Sequence, residues 1–391
     1  MTLRSRLLAT LAMLVACVAH AEGASTVERA FTAPITVALV SDDASHGQNN
    51  VGSDVPDRAL DRAVKWLERR ELQKNISPTE ASLFADAADG SLDKHGLIEA
   101  ALIAEGIVDP LKRAECLETF DVAYDQLSQI IDASASEERR AEVLLNFLHR
   151  KLFFGGYRVD CTQLSEVLSC GQFNCASATI VFCAFAQRLG LQTIAIEVPG
   201  HVLCGLSIGE NRIAVETTCP GWLSTPNRDL PRNPLVNNMK LPRASQQPAS
   251  DSMGIAGTSL ATQLGGPPQT LDARRFEPSQ AGAIAWRQEM PVSALVAIVY
   301  YNRGLDELEQ KKYAAAAVAN VNALRINPGS PAAWSNLLAT VNNWALAANQ
   351  RDEISRATAL LREGIELAPN HELFQTNLKT VNRRCREATG L

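Results

Sequence analysis

The sequence has few aromatic residues, 5% of its 391 positions, and no surplus of positive charge: 37 Lys and Arg stand against 43 Asp and Glu, a net charge of −6. Phosphate binding needs Lys and Arg clustered on one face, so this balance gives no electrostatic reason for a nucleic-acid partner. Beyond residue 25 no apolar run approaches the ~20 residues a membrane-spanning helix needs. The close C-x2-C pairs that usually announce a zinc site are also missing. A hydrophobic share of 46% still supplies cores for two or three domains at roughly 100 to 200 residues each.

What the chain does have is nine cysteines. Their number alone is consistent with a disulfide framework, metal ligands, a nucleophile or buried filler. Their positions have to decide.

Residues 1–21 read as a secretory signal peptide. Arg4 and Arg6 precede an apolar stretch from Leu7 to Val18, and Ala19-His20-Ala21 offers small residues for cleavage before Glu22. A second reading overlaps it, because Leu14-Val15-Ala16-Cys17 resembles a bacterial lipobox in which Cys17 is lipidated; each buried CH₂ of the lipid would contribute ~0.8 kcal/mol of anchoring. Either way the expected location is the periplasm or cell envelope, with membrane contact only through a lipid at Cys17. In such a compartment unpaired thiols tend to be oxidised.

After an N-terminal extension (22–57) the spacing turns helical. Ala59, Leu60, Ala63, Val64 and Leu67 form one stripe, and Leu117, Phe120, Tyr124, Leu127 and Ile131 form another. Ser77-Pro78-Thr79-Glu80 reads as a helix start with Ser77 as N-cap. From Val159 to Pro220 one helix after Asn174 is followed by β-rich runs at Gln192–Val198, His201–Ile208 and Arg212–Thr217, with a turn at Gly209-Glu210-Asn211. The segment 58–222 is therefore expected to be an α+β domain with a helical lead-in. Residues 223–291, rich in Pro, Ser and Asn, read as a linker.

Residues 292–391 return to helical spacing. Tyr300, Gly304, Tyr313, Ala316, Ala323 and Pro328 stand at offsets 4, 8, 17, 20, 27 and 32, which resemble a tetratricopeptide repeat. A second unit fits through Trp334, Leu337, Ala357 and Pro369 once seven residues are added between its helices, and Leu373–Cys385 reads as a capping helix. Such an array either docks a protein partner or is stacking alone.

Chemistry concentrates at Gly171-Gln172-Phe173-Asn174-Cys175. The small and apolar residues that follow predict a buried helix with Asn174 as N-cap, which puts Cys175 in the first turn. Free N–H groups and the helix dipole favour a thiolate there. Cys183, eight residues on, reads as core. A nucleophilic thiol needs a base and a group to orient that base. His201 opens a β-run close behind the helix, and pairing through the Gly209 turn would bring Glu216 beside it. Gln172 is a candidate oxyanion donor, as is the Cys175 N–H.

The order Cys175, His201, Glu216, with Asn-Cys at a helix start and Pro-Gly-His before a strand, resembles the transglutaminase-like superfamily of papain-related folds over roughly Glu142 to Trp222. Bacterial members that also carry tetratricopeptide repeats share this layout. The resemblance implies an exported thiol-dependent amide or peptide hydrolase, or an acyl transferase, acting on a peptide or protein substrate without a cofactor. The wider family usually has Asp where this chain has Glu216. The alternative class is a non-catalytic envelope scaffold that binds through its repeats.

Two blander roles stay open for these residues. Cys175 could pair with Cys161 or Cys170, although Cys161 with Cys170 is the preferred bridge. A metal site would draw on Cys170, Cys175, His201, Cys204 and Cys219, but strand alternation points the one close pair, His201 and Cys204, apart. No metal is expected.

Overall fold

Helices begin where capping chemistry and apolar spacing coincide. In the computed structural model, which describes residues 54–198, 200–224 and 288–389, the first stripe forms α1 (Asp54–Arg69), with Ala63 and Leu67 buried. Next, α2 (Pro78–Asp86) starts at the expected cap: Ser77 Oγ accepts the Glu80 N–H at 3.1 Å and Glu80 reaches back to the Ser77 N–H. The following helix, α3 (Leu97–Glu105), is apolar nearly all round and lies in the core. The second stripe becomes α4 (Pro110–Ser128) except for Ile131, which lies past the helix end. In α5 (Glu137–Lys151), acids at the start and bases at the end complement the helix dipole. The expected signal peptide, Cys17 and most of the expected linker lie outside the described residues.

A short parallel pair, β1 (Gly156–Tyr157) with β2 (Gln172–Phe173), brackets α6 (Leu164–Cys170) and leads into α7 (Cys175–Arg188). Gly155 is required there, since a Cβ would collide with the Cys170 carbonyl. Then β3 (Thr193–Val198), β4 (His201–Ile208) and β5 (Asn211–Val215) build an antiparallel sheet. Ile208 pairs with Asn211, so the β4–β5 turn holds only Gly209 and Glu210, with Gly209 at φ +57°. Val202, Cys204 and Leu206 join the main core under α7, while Leu203 joins Ile196 and Val198 in a small cluster of their own. The alternation expected along β4 is present. Cys204 meets Cys183 of α7 at that interface.

The sheet has an additional edge. Its order is β5-β4-β3-β6, where β6 (Gln288–Met290) comes from the stretch read as linker and pairs with Ala195–Glu197 of β3. A three-residue strand has too few positions to display a period, so the open edge of β3 fixes it instead.

Five helices follow: α8 (Leu295–Glu309), α9 (Tyr313–Ile326), α10 (Pro331–Gln350), α11 (Ile354–Leu367) and α12 (Glu372–Thr389). They pack in sequence as two hairpins and a closing helix. Gly304 lets Asn320 of α9 lie against α8, and Gly364 does the same for Phe374 of α12. The seven extra residues do not form a loop: α10 runs seven residues further past Trp334 than α8 runs past Tyr300. Among the described residues no helix is long and apolar enough to cross a membrane.

The helical C-terminal region is built into the rest of the fold. Trp66 Nε1 donates to Glu363 at 2.7 Å, and Arg70 holds the same carboxylate through two bonds of 2.5 and 2.9 Å. All described residues belong to one compact unit.

One expected pairing is corrected. Cys161 and Cys170 are free thiols, as are Cys116, Cys175, Cys183, Cys204 and Cys219. Helix α6 separates the two: buried Cys161 faces Gln172 Oε1 at 3.6 Å, and exposed Cys170 donates to the Glu166 carbonyl at 3.2 Å.

Candidate active site

Cys175 is the first residue of α7, buried to 8% exposure. Asn174 caps the helix: its Oδ1 accepts the N–H groups of Ala176 and Ser177 at 2.9 and 3.1 Å, and Ser177 Oγ accepts the Asn174 N–H at 2.9 Å. Asn174 Nδ2 donates to the Val159 carbonyl and to Thr162 Oγ1, which fixes the amide's orientation. As the first amide of the helix, the Cys175 N–H has no intrahelical acceptor.

His201 and Glu216 meet at 2.7 Å through Nε2 and Oε2, with side chains 10% and 5% exposed. Glu216 does not reach His201 from within β5; it sits one residue past the strand's end, where Thr218 grips its other oxygen through N–H (3.0 Å) and Oγ (2.6 Å). The longer acid is thus held on both oxygens. Burial opposes the charged imidazole, but the Glu216 carboxylate and the Cys175 sulfur outweigh it and hold His201 well above its ordinary range. Burial also opposes the Glu216 charge, and His201 with Thr218 overcomes it, so the carboxyl titrates below its usual value. The Cys175 sulfur lies near enough to act on the imidazole electrostatically. With Nε2 on the acid, Nδ1 is the nitrogen left for the thiol.

Several supporting residues carried no signal in the sequence. His149 Nε2 donates to the Thr217 carbonyl at 3.0 Å, and Thr179 Oγ1 meets Thr217 Oγ1 at 2.8 Å, so the segment bearing Glu216 is held from two sides. Burial keeps His149 below its usual range, in the neutral form that donates one N–H. Gln172 Oε1 accepts from Arg158 at 3.0 Å, and Arg158 is clamped by Asp160 through bonds of 3.1 and 2.5 Å. Arginine can only donate, so the Gln172 NH₂ must face away from it. Tyr157, half exposed, and Tyr301 of α8 also feel the Cys175 charge. No spacing rule links residues 149, 158 or 301 to Cys175; only the fold does.

Among the described residues no group of three or more His, Cys, Asp and Glu is arranged to hold a metal ion. The residues weighed as ligands are dispersed: Cys204 is buried against Cys183, and Cys170 and Cys219 are exposed.

A family model described as the transglutaminase-like superfamily matches residues 114–228. The match spans α4 to β5 and includes Gln172, Cys175, His201 and Glu216. It supports the resemblance read over Glu142–Trp222 and extends it toward the N-terminus. No family match covers the helices from α8 onward, so the likeness to tetratricopeptide repeats stays a reading of sequence spacing and helix order. No curated protein and no solved structure matches the chain. The architecture is α+β: a transglutaminase-like domain followed by a helical C-terminal region.

Proposed function

We propose that the protein is a thiol-dependent amide or peptide hydrolase or acyl transferase in which Cys175 is the nucleophile, His201 the acid and base, and Glu216 the group that orients His201. The observation that carries this reading is the buried His201–Glu216 pair beside a thiol at a helix start. The Cys175 sulfur attacks a carbonyl and a C–S bond forms. The Cys175 N–H stabilises the oxyanion, together with the Gln172 NH₂. His201 gives its proton to the departing amine as the C–N bond breaks. Water or a second amine, deprotonated by His201, then opens the thioester to an acid or a new amide, and the thiol is restored.

A reporter acyl ester tests the scheme. A hydroxylamine-labile adduct mapped to Cys175, absent from Cys175→Ala, is expected. Adducts confined to the exposed Cys170 and Cys219 would refute it. Release of acid distinguishes hydrolysis from amine incorporation. We further propose export, supported by Arg4, Arg6 and the apolar run to Val18. Mass spectrometry of the mature protein decides between a chain starting at Glu22 and one carrying lipid on Cys17.

A further inference from the structure

Four consecutive residues of α8 reach four different parts of the molecule. Tyr300 Oη donates to Glu80 of α2, Tyr301 Oη donates to Glu197 of β3, Asn302 Nδ2 donates to Thr162 Oγ1, and Arg303 Nη1 donates to the Ala104 carbonyl of α3. The third contact leads directly to the nucleophile's cap. Thr162 Oγ1 accepts Asn302 Nδ2 at 3.0 Å and Asn174 Nδ2 at 2.8 Å, and Asn174 Oδ1 in turn holds the amides of Ala176 and Ser177 in the first turn of α7.

Packing does not explain Asn302. It is 7% exposed, and its Oδ1 has no partner among the described residues. A buried amide that satisfies only half its hydrogen-bonding capacity costs stability. Leucine, which has the same branched outline and no polar atoms, would remove that cost, and Thr162 would keep its bond from Asn174. The single bond Asn302 makes is to the residue that braces the Cys175 cap.

We propose that Asn302 is a positioning residue through which the C-terminal helical region sets the reactivity of Cys175, by way of Thr162 and the Asn174 cap. The proposal rests on the reading of Cys175 as an activated nucleophile. It makes the catalytic unit larger than the 114–228 segment that the family resemblance covers. Loosening Asn174 lets the start of α7 shift, and displacement on the scale of an ångström is enough to lose a reactive geometry.

The test is iodoacetamide labelling of the reduced full-length protein, resolved to Cys175 by mass spectrometry, at pH 6.5 and pH 9.5. Asn302→Leu should slow Cys175 labelling about five-fold or more at pH 6.5 and less than two-fold at pH 9.5, while the melting temperature falls by no more than about 2 °C. Thr162→Val should do the same, and the double variant should add little to either. Leu308→Ala, a fully buried change at the other end of α8, controls for general loosening: it should lower the melting temperature and leave the pH 6.5 to 9.5 rate ratio unchanged. An unchanged ratio in both Asn302→Leu and Thr162→Val, with wild-type Cys175 fast at pH 6.5, would overturn this inference alone. An equal change in Leu308→Ala would overturn it too. A wild-type Cys175 that labels like an ordinary thiol would overturn both it and the reading beneath it.

Discussion

The molecule contains two side-chain relays of the same outline, thiol or hydroxyl to histidine to glutamate. One is Cys175–His201–Glu216. The other is Ser82–His95–Glu99, in which Ser82 Oγ lies 3.1 Å from His95 Nε2 and His95 Nδ1 lies 3.2 Å from Glu99 Oε2. Read as a list of residue types, both look like hydrolytic triads. Their surroundings separate them. Cys175 opens its helix, whereas Ser82 is the fifth residue of α2, beyond the turn whose amides are free. Lys94 donates to Ser82 Oγ at 2.6 Å and Arg113 takes the other oxygen of Glu99 at 3.2 Å. Asp86 accepts the N–H groups of Asp93, Lys94 and His95. The Ser82 relay thus ties down the connection between α2 and α3. Order and geometry of three groups do not define a site; the nucleophile's place on its helix and the burial of the acid–imidazole pair do.

The comparison is broken most sharply by removing each histidine in turn. His201→Ala should slow Cys175 alkylation at pH 6.5 by about two orders of magnitude. His95→Ala should leave that rate within about two-fold and instead speed amide exchange in 89–96, because it removes only a local clamp. Comparable losses of reactivity in both variants would erase the distinction.

Removing the acid gives the next largest effect and predicts its pH dependence. His201 is held above its ordinary 6.5, so its bond stabilises the fold fully below that value and the stabilisation is lost as pH climbs through the folded value. Glu216 is held below its ordinary 4.5, so its share is full above that value and is lost as pH falls through the folded one. Glu216→Ala should therefore cost about 3–5 kcal/mol, the usual loss on breaking a buried pair, with the deficit widest between pH 4.5 and 6.5. Urea titrations at pH 3.5, 5.5 and 9 check the profile. A deficit that grows steadily toward high pH would be the wrong sign.

Thr218→Val is a smaller change, since it removes one hydroxyl bond to Glu216 and leaves the Thr218 N–H in place. It should cost about 1 kcal/mol and slow alkylation several-fold. The corresponding change in the other relay, Arg113→Met, frees one oxygen of Glu99 and the carbonyls of Ile107 and Val108, and should cost about 1–3 kcal/mol with no change at Cys175.

The sequence carried the parts of this structure that depend on local chemistry. Ser77 and Asn174 cap helices because each supplies a side-chain oxygen where the first amides lack acceptors, and both are visible from the residues alone. The hairpin that brings Glu216 toward His201 follows from two alternating runs and a glycine turn. What the residues could not display is long-range. Strand β6 is too short for a period and exists because β3 has an open edge. His149, Arg158 and Asn302 reach the site from outside the Cys175 helix and the His201–Glu216 hairpin, and α8 is at once part of the main core and the first helix of the C-terminal region. The expected Cys161–Cys170 bridge failed for a similar reason, because spacing along the chain says nothing about the helix between them.

The central claim is that Cys175 is an activated thiol whose reactivity depends on His201. Site-resolved iodoacetamide labelling of the reduced protein from pH 5 to 10 measures this directly. The account predicts fast Cys175 labelling already well below pH 8, far ahead of Cys170 and Cys219 despite their greater exposure, and loss of that advantage in His201→Ala. Slow Cys175 labelling that rises only with ordinary thiol ionisation, identical in the two proteins, would contradict it.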